Sequence, residues 1–180
     1  MKIANSLAHS LLKTFTAKDY VNFIKNSNNP LYFQEKYLLS LVKRNSKTLF
    51  GQQHRFSQIR CIDDFQKFVP ISNYDDYQPF IDEIAKGKPS VLTNSRVTNL
   101  VPTSGTSGFN KFIPYTSETT TEFNYALNVW MHSLYKEFPK LSKGKAFWLI
   151  SPAGKKPHFV SVIPVGFKSD DSYFGKIGRL

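Results

Sequence analysis

Thr103-Ser104-Gly105-Thr106-Ser107-Gly108-Phe109-Asn110-Lys111 puts two glycines, four hydroxyl side chains and one lysine into nine residues. Apolar segments lead into it at 97–102 and out of it at 112–114. Glycine carries no Cβ, so the backbone can turn sharply and approach a ligand closely. Successive backbone N–H groups can then form an anion-binding concavity. Hydroxyls add donors, and lysine adds a mobile point charge suited to phosphate. The plain alternative is a polar turn between two strands, which such clusters also mark. Spacing excludes two other glycine motifs. The Walker loop needs Gly before its lysine and Ser or Thr after it, whereas Asn110 precedes Lys111 and Phe112 follows. The hydrolase elbow needs G-x-S-x-G, and Gly105-Thr106-Ser107-Gly108 is one residue short.

What precedes this stretch reads as helical. Ile3, Leu7, Leu11 and Phe15 recur at the helical period. A second short helix is expected over 18–25, then a break at Asn26-Ser27-Asn28-Asn29. Pro30 stands where proline opens a helix, and Gly51 is read as the terminator of that region. Further helices are expected over 61–68 and 74–86. The second has Ser72 or Asn73 as its N-cap and Gly87 as its stop. The aromatics throughout are read as core. After Pro89 short strands are expected at 90–92, 97–101, 112–113, 145–150 and 159–165, with a long helix over 118–138. Thr116 or Ser117 would cap that helix, and Phe123, Leu127, Trp130, Leu134 and Phe138 would form its apolar face. Strand, glycine-rich loop, long helix, strand is a βαβ-like order, and open α/β sheets bind ligands at such loops. The predicted class is α/β: a mainly helical region over 1–88, then the start of an α/β nucleotide-binding region over 89–180.

Composition narrows the function classes. Apolar content of 41% and charged content of 21% describe a globular chain. Cys61 is the only cysteine, which excludes an intrachain disulfide and a thiolate metal cluster. Neither a secretory leader pattern nor an apolar run long enough to span a membrane is visible. A soluble, cytoplasmic protein with no membrane partner is expected. The net charge of +11 is spread over scattered lysines, the tightest groups being Lys43-Arg44 with Lys47, then Lys140, Lys143 and Lys145, then Lys155-Lys156. No RNA-binding aromatic signature accompanies them, so a solvated basic surface is favoured over nucleic-acid binding. His9, His54, His132 and His158 stand apart and match no metal motif. Adjacent acidic pairs such as Asp63-Asp64 and Asp75-Asp76 cannot face each other on a helix, so they read as caps and solvated faces.

The glycine-rich stretch resembles the first core motif of adenylate-forming enzymes, in the form carried by the Gretchen-Hagen-three family of acyl-acid amido synthetases. Other segments agree in order: Thr48-Leu49-Phe50-Gly51, Ile62-Asp63-Asp64-Phe65, Val69-Pro70-Ile71-Ser72-Asn73-Tyr74-Asp75-Asp76-Tyr77, Pro79-Phe80-Ile81, Gly87-Lys88-Pro89-Ser90-Val91-Leu92 and Pro114-Tyr115-Thr116. The resemblance implies the N-terminal part of an adenylate-forming fold. It also implies a two-step reaction with ATP and Mg2+, in which a carboxylic acid is adenylated and its acyl group passes to an amino acid or other amine. Thr103, Ser104, Gly105, Thr106, Ser107 and Gly108 would hold the phosphates, and Lys111 would be the catalytic cation. Members of that family are several times longer, so the chain reads as their N-terminal portion. Two rival readings remain: a non-catalytic nucleotide- or partner-binding module, and a basic nucleic-acid binder.

Overall fold

The computed structural model describes residues 2–103, 111–145 and 158–166. In chain order its elements are helices α1 Lys2–Ser27, α2 Pro30–Arg44, α3 Leu49–Gln53, α4 Ile62–Phe68 and α5 Tyr74–Ala85, strands β1 Asn99–Pro102 and β2 Phe112–Tyr115, helix α6 Ser117–Glu137, and strands β3 His158–Val160 and β4 Ile163–Val165. Single turns of 3-10 helix occur at Phe56–Gln58 and Pro139–Lys143. The described residues form two compact units. One draws on residues 2–30 and 119–145, the other on 31–103, 111–118 and 158–166.

The first unit pairs α1 with α6 along a seam that is polar. Thr16 is 0% exposed, and its hydroxyl donates to Leu12 O at 2.9 Å, the usual outlet for a threonine inside a helix. His132 Nδ1 lies 3.2 Å from Thr16 Oγ1 and 3.1 Å from Lys13 O, and the His132 ring lies against Tyr20 at 4.8 Å. Asn128 Nδ2 donates to Asp19 Oδ2 at 2.7 Å, and His9 Nδ1 meets the Tyr135 hydroxyl at 2.7 Å. This seam overturns two expectations. Helix α1 is continuous where two helices were expected, because nothing between Lys2 and Ser27 is a glycine or proline. Its periodic apolar stripe is not turned inward either: Leu7, Leu11 and Phe15 are 60%, 59% and 64% exposed. Phe123 and Trp130 on α6, and Phe138 just after it, are exposed as well, so these aromatics are not core.

The second unit holds the sheet and both apolar clusters. Its strand order is β2-β1-β4-β3, a mixed sheet. β1 pairs antiparallel with β2 in the register Asn99↔Tyr115 to Pro102↔Phe112, and parallel with β4 at Leu100↔Val165. α6 lies between β1 and β4 in sequence, the strand–helix–strand order the sequence predicts. The expected strand over 159–165 is instead a hairpin, β3 and β4, turned at Ser161 with φ 57°. Residues 90–92 are bends, not a strand. Of the expected strand at 145–150, positions 146–150 lie outside the described residues, as does the tail 167–180.

Leu100, 0% exposed, sits in a cluster with Ile81, Ile84, Ala85 and Val91. A second cluster joins Val42, Phe56 and Ile59. Between α2 and α5, the first N–H groups of α3 are all satisfied, as buried backbone requires. Leu49 N donates to Ser90 O and Phe50 N to Val91 O. Gly51 N donates to the Thr48 hydroxyl at 2.9 Å and Gln52 N to Thr48 O. Gly51 therefore does not terminate a helix. It lies inside α3, where an added Cβ would collide with the Asn45 carbonyl. The α3 bonds fix the segment that leads into β1.

α5 is closed at both ends. Asn73 Oδ1 accepts from Asp75 N at 2.9 Å while Asp76 Oδ2 accepts from Asn73 N at 2.8 Å, a reciprocal N-terminal cap. At the other end Gly87 has φ 88°, Gly87 N donates to Ile84 O and Lys88 N to Glu83 O, the Schellman pattern. Val162 N then donates to Ala85 O at 3.2 Å, which seats the β3–β4 turn on the end of α5.

Candidate functional site

Thr103 and Lys111 face each other at the end of the β1–β2 ladder, with Thr103 N donating to Lys111 O at 2.9 Å. The glycine-rich stretch thus leaves the sheet at the tip of an antiparallel pair, not at a strand-to-helix turn. Ser104, Gly105, Thr106, Ser107 and Gly108 lie outside the described residues. Of the predicted site, the structure describes the two ends: Thr103 exposed and Lys111 half-buried.

β2 is an edge strand. Backbone groups alternate sides along a strand. Since Lys111 O points at β1, Phe112 N–H and C=O point off the open edge, where unpaired groups are a liability. Tyr74, the first residue of α5, meets both. Phe112 N donates to the Tyr74 hydroxyl at 2.7 Å, and that hydroxyl lies 3.3 Å from Phe112 O as donor. Lys111 Nζ lies over the Tyr74 ring, 5.5 Å from its centroid. Among the described residues Lys111 makes no ion pair, since the two salt bridges join Glu83 to Lys86 and Lys88. A ring face attracts an ammonium through its quadrupole without cancelling its charge, so the Tyr74 ring holds Lys111 at the root of the stretch without neutralising it.

Downstream of β2, Thr116 is buried at the joint with α6. The Ser95 hydroxyl donates to Glu118 and holds its carboxyl below the usual range, with its own backbone N–H helping. That carboxylate stands in the first turn of α6, where the helix dipole favours it. Elsewhere in this unit a cleft of about 260 Å³ is lined by Phe50, His54, Asp76, Tyr77 and Phe80, and none of the predicted site residues lines it. Phe50 stacks on Tyr77 with centroids 5.7 Å apart and lies tilted against His54 at 4.1 Å. His54 Nδ1 donates to Phe68 O at 3.0 Å, so this histidine is tied into packing.

Among the described residues no three His, Cys, Asp or Glu side chains converge as metal ligands. Mg2+ is commonly held by substrate phosphates and only one or two carboxylates. Tyr74 is the residue that sequence reasoning missed. Its place in the Val69–Tyr77 motif was visible, but its hold on a strand 38 residues away was not.

A family model described as the GH3 family N-terminal domain matches residues 20–175. The chain belongs to the GH3 family. The Arabidopsis thaliana protein named indole-3-acetic acid-amido synthetase GH3.15 is 32% identical over 133 residues, covering 72% of this chain and 22% of that protein. Another Arabidopsis thaliana relative, 4-substituted benzoates-glutamate ligase GH3.12, is 26% identical over 126 residues, covering 69% of this chain and 22% of that protein. A solved structure of the AtGH3.15 acyl acid amido synthetase in complex with 2,4-DB superposes with a TM-score of 0.72 at 23% identity, covering 88% of this chain and 28% of that one. The fold of this GH3 chain is therefore that of the N-terminal part of those synthetases. It spans about a quarter of the length of the relatives it matches.

Proposed function

We propose that this chain provides the nucleotide-phosphate-holding part of an ATP-dependent acyl-acid amido synthetase. The observation that carries the reading is the family match over residues 20–175, which contains the whole glycine-rich stretch and its lysine. In the first step a carboxylate oxygen attacks the α-phosphorus of ATP, an O–P bond forms, and pyrophosphate leaves. In the second, the nitrogen of an amino acid or other amine attacks the acyl carbon, AMP leaves with the C–O bond electrons, and the nitrogen sheds a proton. Thr103, Ser104, Gly105, Thr106, Ser107 and Gly108 hold phosphate oxygens through hydroxyl and backbone N–H donors. Lys111 offsets the charge that builds on the departing pyrophosphate. Such catalysis is positioning and charge stabilisation. The lone Cys61 and the need for ATP fit a cytoplasmic setting.

The test is ATP–pyrophosphate exchange by the natural gene product, with Lys111→Ala and Thr106→Ala compared with the parent. Each is expected to lose about two orders of magnitude, as when a transition-state donor is removed. Exchange that survives both unchanged refutes the site. ATP binding without exchange in the parent assigns the binding-module reading instead. Retention on nucleic acid that falls steeply with salt would mark the basic surface as an electrostatic footprint; no retention at low salt is expected.

A further inference from the structure

The geometry points to Tyr74 as a positioning residue of the phosphate site, acting on both Lys111 and the strand that carries it. The inference rests on the phosphate-holding reading above. Three observations meet at this side chain. Its hydroxyl pairs both backbone groups that Phe112 turns toward the open edge of the sheet. Its ring underlies the ammonium of Lys111. Its own backbone is pinned, because the reciprocal Asn73–Asp76 cap fixes the start of α5 at Tyr74. The phenol is partly buried and packs against the cluster built on Leu100, so it is held from three sides.

Only tyrosine performs both tasks. Phenylalanine would keep the ring under Lys111 and leave the Phe112 N–H and C=O to water. A serine or asparagine would pair the backbone and lose the ring. A carboxylate would bond the N–H but would neutralise Lys111, which a phosphate-binding cation cannot accept without losing affinity. The ring instead holds the ammonium without neutralising it, and among the described residues no carboxylate pairs with it. The residue thus sets the direction from which Lys111 approaches a phosphate and holds the exit strand of the glycine-rich stretch in register.

The experiment measures Mg-ATP affinity by calorimetry, with amide hydrogen exchange at Phe112, for the parent chain, Tyr74→Phe, Tyr74→Leu, Lys111→Met and the Tyr74→Leu/Lys111→Met double variant. Val42→Ala, in the other apolar cluster, controls for loss of stability alone. Tyr74→Phe is expected to speed exchange at Phe112 and weaken Mg-ATP by about fivefold, the worth of one hydrogen bond. Tyr74→Leu is expected to weaken it about threefold further through the lost ring contact, and that extra loss is expected to vanish when Lys111 is already methionine. Val42→Ala is expected to leave affinity unchanged. If Tyr74→Phe binds Mg-ATP like the parent, or if Val42→Ala weakens binding as much, the positioning role is overturned. If the parent binds no Mg-ATP while Phe112 exchange still responds to Tyr74→Phe, the tether stands and the phosphate-holding reading fails, taking the inference with it.

Discussion

Thr48 offers a direct test of whether hydrogen bonding or packing governs the junction that feeds β1. It is 0% exposed. Its hydroxyl donates to Asn45 O at 2.7 Å and accepts from Gly51 N at 2.9 Å. Thr48→Val conserves shape and deletes both bonds. Asn45 O keeps a partner in Thr48 N, but Gly51 N–H is buried with none. One orphaned buried donor costs about 1–3 kcal/mol and one lost bond about 1 kcal/mol, so Val should lose about 2–3 kcal/mol. Thr48→Ser keeps the hydroxyl and deletes one methyl, costing about 1 kcal/mol. The order Thr, then Ser, then Val should therefore appear in urea denaturation, with Val below Ser by about 1–2 kcal/mol and equal m-values. Packing alone puts Val beside Thr and Ser below both. A Val variant as stable as the Ser variant, or more so, would refute the account of α3 given above, and faster exchange at the Gly51 amide in Val alone would locate the effect.

Leu100→Ala should cost about 3 kcal/mol in the same assay, since Leu100 of β1 is fully buried in the cluster it forms with α5 and Val91; a loss under about 1 kcal/mol would mean the cluster collapses around the gap. Gly87→Ala should lower stability by about 1–2 kcal/mol, because φ is 88° and a Cβ would sit 2.9 Å from Val162 Cγ2. A neutral melting curve would contradict that. The Lys88 and Lys86 ammonium groups hold the Glu83 carboxyl down at about 2 through hydrogen bonds and charge. Its folded value is depressed below the unfolded value near 4.5, so its contribution is present above that pH and is lost as pH falls toward about 2. Lys88→Gln should move the Glu83 NMR titration upward, and added salt should move it the same way; a titration unchanged in both would remove the pair from the acid limb.

Much of the second unit was legible because its signals are local. The Asn73 cap and the Gly87 stop each act within one turn of chain, and each stands where the sequence puts it. β1 and β2 flank the glycine-rich stretch as read, with the first shifted to Asn99–Pro102. The errors have a common cause. Periodicity names a stripe without saying what faces it. On α1 the stripe Leu7–Leu11–Phe15 was clear, yet the face turned to α6 carries Thr16 and Asp19, because Asn128 and His132 supply their partners. Gly51 was misjudged for the same reason: its demand for space comes from Asn45, not from its neighbours in a helix end. At the candidate site the chemistry of Lys111 was readable from composition, while Tyr74 became visible only once α5 and β2 were adjacent.

The parallel pairing of β1 with β4 also has a consequence in time. Leu100 pairs with Val165, so β1 leaves the ribosome 65 residues ahead of its inner neighbour. At about 5–20 residues per second that interval is roughly 3–13 s. The β1–β2 hairpin needs only about 1–10 μs to close. For seconds, then, a nascent two-stranded ribbon presents Leu100 on an unfilled edge, with the seat for β4 open to any other extended segment. That interval is when a holdase chaperone would have most to do for this chain, and slowing translation between codons 103 and 163 would lengthen it.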